Sequence, residues 1–261
     1  RIIKSDKNEK DRYYISKYET QYEYVDELNM LFPRMYSSSG AHVEAYKEWA
    51  QVKGTPVKFS RCGEMTTVMK PTFAENLRYF FSYQLNFMYW RYFMWNFSGR
   101  QNDIQGHGEV TNGNWITGIP FIDEALVGPQ EDMPLDIADN KGHNVYYMLP
   151  LLLGILGLLY QGYAGHKGVQ GFWITFFLFF MTGIAIVLYL NQTPYQPRER
   201  DYAYAGSFYA FCIWIGFGVA ALAKGLRQYA KLSPVAAGSV ATLLSLFVPI
   251  QMGAQNWDDH D

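Results

Sequence analysis

The chain has 261 residues, a formal net charge of −2 and 49% hydrophobic residues, and its mean hydropathy of −0.15 is typical of a soluble protein. That average conceals unlike parts, because residues 1–144 have a charge balance of −3, residues 145–252 of +4 and residues 253–261 of −3. Neither of the long parts is basic enough to indicate nucleic-acid binding, and no nucleic-acid-binding module is visible.

The first residues do not look like a natural start. The chain begins at Arg1 and continues through KSDKNEKDR, which is neither an initiator methionine nor a signal peptide, so we expect a longer N-terminal part. The two cysteines, Cys62 in the polar part and Cys212 in an apolar run, predict no disulfide. No His or Cys pair has metal-ligand spacing, and the sequence therefore predicts no metal site.

Tyrosines alternate with charged residues in the first 35 residues, as in RYYISKYETQYEYVDEL. This alternation is typical of a short strand pair or an extended surface segment. The next periodic stretch, AHVEAYKEWAQ (residues 41–51), predicts a helix with Val43, Tyr46 and Trp49 near one face. The KGTP stretch at residues 53–56 ends that helix.

An unusually aromatic helix is predicted at residues 73–98. Thr72 and Glu75 have the spacing of a capping box, and 12 of the 25 residues from Phe73 to Phe97 are aromatic. Arginines interrupt the run, so it is too polar to cross a bilayer alone. Trp and Tyr favour the membrane–water interface, where Arg side chains can extend to the headgroups. We predict an interfacial helix or a helix packed against the bundle; the alternative is a core helix of a soluble domain.

Four uncharged apolar runs follow an irregular connector at residues 99–144, which we expect to cover the outer face of a bundle. A helix needs roughly 20 apolar residues to cross a hydrocarbon core of about 30 Å. The predicted spans are residues 145–163, 171–190, 204–223 and 232–254. Four buried core helices of a soluble protein are the less favoured alternative. The glycines within the spans are expected to allow close helix packing: Gly154, Gly157, Gly216 and Gly218.

The predicted fold is mainly α: a polytopic helical membrane bundle at residues 145–261, with an α+β extra-membrane region at residues 1–144 that includes the aromatic helix. The loop between the third and fourth spans holds Lys224, Arg227 and Lys231, and the loop between the first two holds Lys167. Short loops rich in Lys and Arg stay in the cytoplasm. We therefore expect the polar N-terminal region and the acidic C-terminus on the periplasmic side of a bacterial inner membrane.

Three polar clusters could carry chemistry on that face. PRERD (residues 197–201) lies between the second and third spans, SGRQND (98–103) follows the aromatic helix, and NWDDH (256–260) follows the fourth span. Arginine forks bind phosphate in a bidentate manner, which favours a site for a phosphate-linked lipid headgroup. A charged interfacial loop with internal Arg–Glu pairs is the alternative for PRERD. The candidate residues are Arg198, Arg200 and Arg100 for phosphate, with Glu199, Asp201 and Asp103 as supporting acids.

Five stretches together resemble a known family: LFPRMYS, AYKEW, RYFMWNFSGRQND, NWITGI and QPRERDYAYAGSFYAF. They are similar to protein O-mannosyltransferase-like polytopic membrane proteins common in Bacteroidota, which are grouped with GT-C-type glycosyltransferases. The resemblance covers roughly residues 18–261. It implies a multi-span enzyme that transfers a sugar, with mannose favoured, from a polyprenyl-phosphate donor to Ser or Thr of exported proteins.

The resemblance assigns Arg198 and Arg200, and less directly Arg100, to the donor phosphate. The catalytic acid or base is expected outside this chain, and no catalytic residue is assigned within it. Many such enzymes also need a divalent cation, but no residue here identifies one. The first alternative is a non-catalytic membrane scaffold within a larger envelope complex. A transporter ranks last, because it would place ionisable residues inside the spans.

Overall fold

The computed structural model describes residues 2–3, 12–13, 15, 17–19, 24–33, 35–61, 63–129, 133–135, 139–195 and 200–257. These residues are mainly helical, with three two-stranded antiparallel sheets. The predicted mainly α architecture is confirmed. The strands are β1 (Ile2–Ile3), β2 (Arg12–Tyr13), β3 (Thr55–Arg61), β4 (Glu64–Lys70), β5 (Gly99–Arg100) and β6 (Asn144–Val145).

The α-helices of the first half are α1 (Gly40–Ala50), α2 (Phe73–Tyr79), α3 (Arg91–Phe97) and α4 (Pro120–Val127). Those of the second half are α5 (Leu149–Gly162), α6 (Gly165–Thr182), α7 (Ile184–Leu190), α8 (Ala205–Tyr229) and α9 (Pro234–Gln255). A 3₁₀ turn at Asp201–Tyr204 leads into α8.

The predicted aromatic helix is observed from Phe73 to Phe97. It consists of α2, an eleven-residue π-helical segment (Phe80–Trp90) and α3. The capping box at its start is confirmed: Glu75 N–H donates to Thr72 Oγ1 at 3.3 Å, and Thr72 N–H donates to Glu75 Oε2 at 2.7 Å. Two donors at the exposed start of the helix are thereby satisfied.

A β-hairpin that the sequence did not indicate precedes this helix. Strands β3 and β4 pair in antiparallel register, from Thr55 opposite Lys70 to Arg61 opposite Glu64. Most of its side chains are exposed on both faces. Lys70 Nζ fixes its base by donating to the carbonyls of Glu27 and Asn29, at 2.7 and 2.8 Å.

Three helices of the second half are long and apolar enough to cross a membrane: Gly165–Leu190, Tyr202–Tyr229 and Pro234–Gln255. They correspond to the second, third and fourth predicted spans. The first predicted span differs, because α5 begins only at Leu149, after left-handed residues at Tyr147 and Met148. Its 14 residues give a length of about 21 Å, short of the roughly 30 Å of a hydrocarbon core.

Glycines bring α5 and α8 into direct backbone contact. A Cβ on Gly157 would overlap the carbonyl oxygen of Trp214, and a Cβ on Gly218 would overlap that of Leu153. The expected role of these two glycines in packing is confirmed, as is that of Gly154, where a Cβ would meet the Phe211 ring. Gly216 differs, because nothing lies within 4 Å of its Cβ position.

Large apolar side chains cover the outside of the bundle. Ile174 on α6 is 72% exposed, Leu243 on α9 is 69% exposed and Ile250 is 63% exposed. Water would make such a surface costly, whereas lipid is as apolar as the side chains themselves. Together with the length of the three apolar helices, this outer face is consistent with a membrane protein.

The first of the three long apolar helices, Gly165–Leu190, is interrupted where the aromatic helix packs against it. Gly183 separates α6 from α7, and a Cβ there would lie 2.6 Å from the Tyr89 hydroxyl and 2.8 Å from Ser207 Cβ. Tyr89 in turn donates to Ser207 Oγ at 3.1 Å, in a fully buried contact. The absence of a side chain at Gly183 therefore lets three segments meet at one point.

Candidate functional site

The polar half contacts the bundle at one of its two ends. Because α5, α6–α7, α8 and α9 alternate in direction, the starts of α5 and α8 lie at the same end as the last residues of α7 and α9. Hydrogen bonds link the polar half to this end at Gln84–Gln192, Tyr89–Ser207 and Asn144–Asn256. Lys167 at the start of α6, and Lys224, Arg227 and Lys231 at and just after the end of α8, lie at the other end.

The aromatic helix holds the connector that follows α7. Gln84 Nε2 donates to the Gln192 carbonyl at 3.0 Å and to Asn191 Oδ1 at 3.1 Å. The Tyr79 hydroxyl donates to the same Gln192 carbonyl at 3.0 Å, and Tyr83 donates to the Thr193 carbonyl at 3.3 Å. The start of the connector is thereby fixed to α2 and the π-helical segment.

Burial keeps the tyrosine in this contact protonated. Tyr79 is fully buried, and removal from water disfavours its phenolate, so its pKa lies well above the ordinary value of 10. Burial likewise raises the pKa of its ring neighbour Tyr46 to about 12. Tyr79 therefore remains a hydrogen-bond donor to the connector throughout the physiological pH range.

The SGRQND stretch folds the long connector onto the end of α3. Ser98 Oγ donates to the Ile116 carbonyl at 2.8 Å, and Gln101 Nε2 donates to the Val110 carbonyl at 3.0 Å. Asn102 is fully buried, and its amide bonds the backbone in both directions: Nδ2 donates to the Thr111 carbonyl and Oδ1 accepts from Gly113 N–H. The polar character of this motif is largely explained by these internal hydrogen bonds.

Arg91 is buried next to these hydrogen-bonded polar groups. The sequence had indicated that its side chain extends to the lipid headgroups, and in the structure it does not. It is 4% exposed, and its guanidinium lies 3.9 Å from the centre of the Phe87 ring and 4.7 Å from that of Trp95. Nε donates to the Phe87 carbonyl and Nη1 to the Gly113 carbonyl, both at 3.0 Å. The charge is thus satisfied inside the protein, where it ties the connector to the helix.

A polar cavity of about 90 Å³ opens beside Arg100. Arg100 is half-buried, and its Nε donates to the Gly142 carbonyl at 2.8 Å. Trp95 Nε1 is buried, and no described group accepts its proton. Asn256 Nδ2 donates to the Tyr146 hydroxyl at 2.8 Å. The residues that line the cavity are Tyr92, Trp95, Asn96, Arg100, Asn144, Tyr146 and Asn256.

Two of the three predicted clusters come together at this cavity. Arg100 of SGRQND and Asn256 of NWDDH both line it. Asp103 lies apart from it on the surface, where its carboxylate accepts from Asn140 Nδ2 at 2.8 Å. Asp103 therefore does not line the cavity, and its supporting role stays a prediction.

The PRERD cluster is only partly described. Arg198 and Glu199 lie outside the described residues, as does the side chain of Asp201. Arg200 is exposed, and its carbonyl accepts from Ala203 N–H at 3.0 Å in the turn that begins α8. Among the described residues, no group of three or more His, Cys, Asp or Glu side chains could hold a metal ion.

Asn144 and Tyr146 line the cavity, yet the sequence had assigned them to a domain border and to the start of the first span. In the structure β6 pairs with β5, which places Asn144 opposite Arg100. Gln251 Nε2 of α9 donates to the Val145 carbonyl, and Val145 N–H donates to Gln255 Oε1. Gln251 and Gln255, near the end of the otherwise apolar α9, were the sequence signal for this contact. Their donors and acceptors need a polar partner at that depth.

Comparison with known proteins identifies only part of the chain. A model described as a family of unknown function (DUF8416) matches residues 3–81, a stretch that ends in the first half of the aromatic helix and does not reach Arg100 or Arg200. No curated protein and no solved structure matches the chain significantly. The fold and the polar end of the bundle therefore define a class: a helical, membrane-type bundle with a polar region packed on one end.

Proposed function

We propose that the chain is part of a membrane glycosyltransferase. In this proposal the enzyme transfers a sugar, with mannose favoured, from a polyprenyl-phosphate donor to Ser or Thr hydroxyls of exported proteins. The observation that carries the proposal is the position of Arg100, which faces a polar cavity at the end of an apolar helical bundle. A lipid-linked phosphate needs such a boundary, because its chain requires lipid and its headgroup requires polar donors.

The cavity offers the donors that a phosphate needs. The guanidinium of Arg100 supplies charge, and the buried Nε1–H of Trp95 can donate to an oxygen without breaking an existing hydrogen bond to a described group. The amides of Asn96 and Asn256 line the same space but already donate to the Tyr92 carbonyl and to the Tyr146 hydroxyl and Met252 carbonyl, so Arg100 and Trp95 are the proposed phosphate donors here. In the transfer, the acceptor oxygen bonds to the anomeric carbon and the bond to the phosphate breaks. The phosphate leaves with the electron pair, and these donors stabilise its growing charge.

The connector supplies the remaining proposed phosphate ligands, Arg198 and Arg200. Its beginning is bonded to Gln84 and Tyr79, and its end enters α8 beside Tyr89. Both described ends of the connector thus contact the aromatic helix. In this proposal α5 is a fourth, short span, the aromatic helix lies at the interface, and the polar end faces the periplasm of a bacterial inner membrane.

The charges at the two ends of the bundle support this orientation. The opposite end carries Lys167 at the start of α6, Lys224 and Arg227 in the last two turns of α8, and Lys231 just after α8, with no acidic residue between them and the adjacent spans, as cytoplasmic ends of spans usually do. The proposed reaction gives no role to a divalent cation. The base that deprotonates the acceptor hydroxyl lies outside this chain in this proposal.

A transfer assay tests the proposal. Membranes that contain the intact protein are given a radiolabelled polyprenyl-phosphate sugar and a Ser/Thr acceptor. We expect Arg200→Ala and Arg100→Gln to lose most of the transfer at unchanged protein level. Arg227→Ala, which removes an arginine at the opposite end, is the matched control and should retain activity. An unchanged profile of exported glycoproteins in a strain that lacks the gene would contradict the proposal.

The scaffold alternative has one observation in its favour. Ser98, Gln101 and Asn102 of the SGRQND motif are used in internal hydrogen bonds that hold the connector in place. A scaffold predicts that Arg100→Gln and Arg200→Ala leave glycosylation intact while the protein still copurifies with fixed envelope partners. The same two variants therefore separate the two functions.

A further inference from the structure

Helix α4 exposes large apolar side chains. Phe121 is 75% exposed and Leu126 is 41% exposed, whereas Asp123 and Val127, at 4% and 8%, face the protein. In a water-soluble protein a helix normally turns its large apolar side chains inward. An environment that is apolar on the outside is the simplest reason for the two exposed side chains.

The apolar residues on the outer side of α4 form one continuous strip, in which Ile122 is half-buried and the others are exposed. At about 100° per residue, Phe121, Ala125, Ile122 and Leu126 occupy neighbouring positions around the helix. Glu124 is exposed and lies to one side of this strip. The strip, with an acidic residue at its margin, has the pattern of a helix that lies along a membrane surface.

The buried carboxylate of the helix is fully hydrogen-bonded inside the protein. Asp123 Oδ1 accepts from Thr117 N–H at 2.7 Å and from Thr117 Oγ1 at 2.8 Å, and Oδ2 accepts from Gly118 N–H at 2.7 Å. These bonds fix the orientation of α4, because they join its first turn to the segment that precedes it. The apolar strip is consequently held outward and is not free to rotate inward.

Contacts place the start of α4 level with the last turn of an apolar helix. A Cβ on Gly118 (φ +79°) would overlap the Val145 side chain and lie 3.1 Å from the Tyr147 ring. Val145 accepts from Gln251 Nε2 at 3.0 Å, and Gln251 is one turn before the end of α9. The strip is thereby connected to the outer face of the bundle, where Ile250 is 63% exposed.

Two aromatic side chains mark the same level. Tyr147, next to Gly118, is 48% exposed, and Trp257, just after α9, is 80% exposed. Trp and Tyr favour the headgroup region at the ends of membrane-spanning helices. Since the start of α4 lies at this level of the bundle, we assign lipid rather than a protein partner as the occupant of its apolar strip.

We infer that α4 lies in the membrane interface and inserts Phe121 and Leu126 among the lipid acyl chains. Helix α4 thereby anchors the polar half of the chain to the membrane surface, in addition to the membrane-spanning helices. The inference rests on lipid as the surroundings of the apolar helices and does not depend on the proposed sugar transfer.

Spin-label accessibility in lipid nanodiscs tests the inference. In a variant of the intact protein with Cys62→Ser and Cys212→Ala, single cysteines are introduced by Phe121→Cys, Leu126→Cys or Glu124→Cys and labelled with a nitroxide. We expect labels at 121 and 126 to collide several-fold more with oxygen, which concentrates in lipid, than with a water-soluble nickel chelate. The label at 124 should show the reverse ratio.

Controls keep the result interpretable. Leu244→Cys lies on the exposed face of α9 and should report lipid, and Lys58→Cys on the hairpin should report water. Preference for the nickel chelate at 121 and 126, with Leu244 in lipid, would overturn the inference. Protection of 121 and 126 from both reagents would assign a protein partner to the strip and overturn it as well. Water at Leu244 would remove its premise and refute it.

Discussion

Gln84 Nε2 donates to the main-chain carbonyl of Gln192 at 3.0 Å, in a buried contact that joins residues 108 positions apart. Gln192 is the second residue after α7, and five residues later the connector reaches the PRERD cluster. A glutamine in the middle of an aromatic helix therefore positions a loop of the bundle. This contact is the clearest physical link between the polar half and the proposed donor site.

Replacing Gln84 should loosen the connector. Gln84→Leu keeps most of the side-chain volume but removes the donor to Gln192 and Asn191, at a cost of about 1–3 kcal/mol for buried polar groups left without it. We expect faster tryptic cleavage after Arg198 and Arg200 in detergent. Gln170→Leu, an exposed substitution near the opposite end of the bundle, is the matched control. Equal cleavage rates for the two variants would show that the contact does not hold the loop.

Gly157 should not tolerate a methyl group. Because its Cβ would overlap the Trp214 carbonyl oxygen, Gly157→Ala must force α5 away from α8. Overpacking of this kind typically costs about 1–3 kcal/mol, which should appear as a lower melting temperature in detergent. Gly216→Ala adds the same methyl group where nothing lies within 4 Å and should be neutral or slightly stabilising. A similar loss in both variants would refute the close contact of the two helices.

Glu75 should make the protein less stable in acid. Its carboxylate accepts from the backbone N–H groups of Thr72 and Lys53 at 2.7 Å and from that of Gly54 at 3.1 Å. These bonds lower its pKa from 4.5 to about 2, with the Thr72 bond as the largest cause. The folded state thus favours the ionised form. Its contribution to stability is complete above about pH 4.5 and disappears as the pH falls towards 2.

Glu75→Gln tests that assignment. At neutral pH we expect it to lower the free energy of unfolding by about 1 kcal/mol, as for a lost helix cap. The difference from the wild type should shrink between pH 4.5 and 2, because the wild-type carboxylate becomes protonated there. Glu124→Gln, on an exposed part of α4, serves as control. A difference that stays constant across this pH interval would argue against the ionised carboxylate as the cause.

Trp95 should contribute to the binding of the polyprenyl-phosphate substrate through its indole N–H. Trp95→Phe removes the unused donor in the cavity while it retains an aromatic ring beside Arg91 and Arg100. A hydrogen bond to a charged group contributes about 1.5–3 kcal/mol, so the Kd for polyprenyl phosphate should rise about tenfold or more. Trp90→Phe, at a position that does not line the cavity, should leave the Kd unchanged. The measurement is titration in detergent or native mass spectrometry.

The sequence predicted those parts of the fold that depend on local patterns. The Thr72–Glu75 capping box, the helix around Tyr46 and the last three apolar helices all follow from spacing and composition within one segment. The β3–β4 hairpin was missed, because its exposed strands lack the alternation of buried and exposed residues that marks a half-buried sheet.

The candidate site was harder to predict because it depends on contacts between distant segments. Arg91 is a charge within an aromatic run, and the sequence could not reveal that Gly113 supplies its acceptor. Asn144 and Asn256 are brought together over 112 positions by the pairing of β5 with β6 and by the end of α9. The resemblance to a glycosyltransferase family indicated Arg198 and Arg200 and, less directly, Arg100, and their phosphate-binding role stays a prediction.

Photo-crosslinking with a diazirine-labelled polyprenyl phosphate tests the central claim most directly. The probe carries its photoreactive group next to the phosphate and is added to the intact protein in nanodiscs. We expect crosslinks at the cavity, on Tyr92, Asn96 or Tyr146, that unlabelled polyprenyl phosphate suppresses and that Arg100→Gln reduces. Crosslinks confined to the apolar faces of α6 and α9, unaffected by the unlabelled competitor and by Arg100→Gln, would contradict a donor site at this end of the bundle.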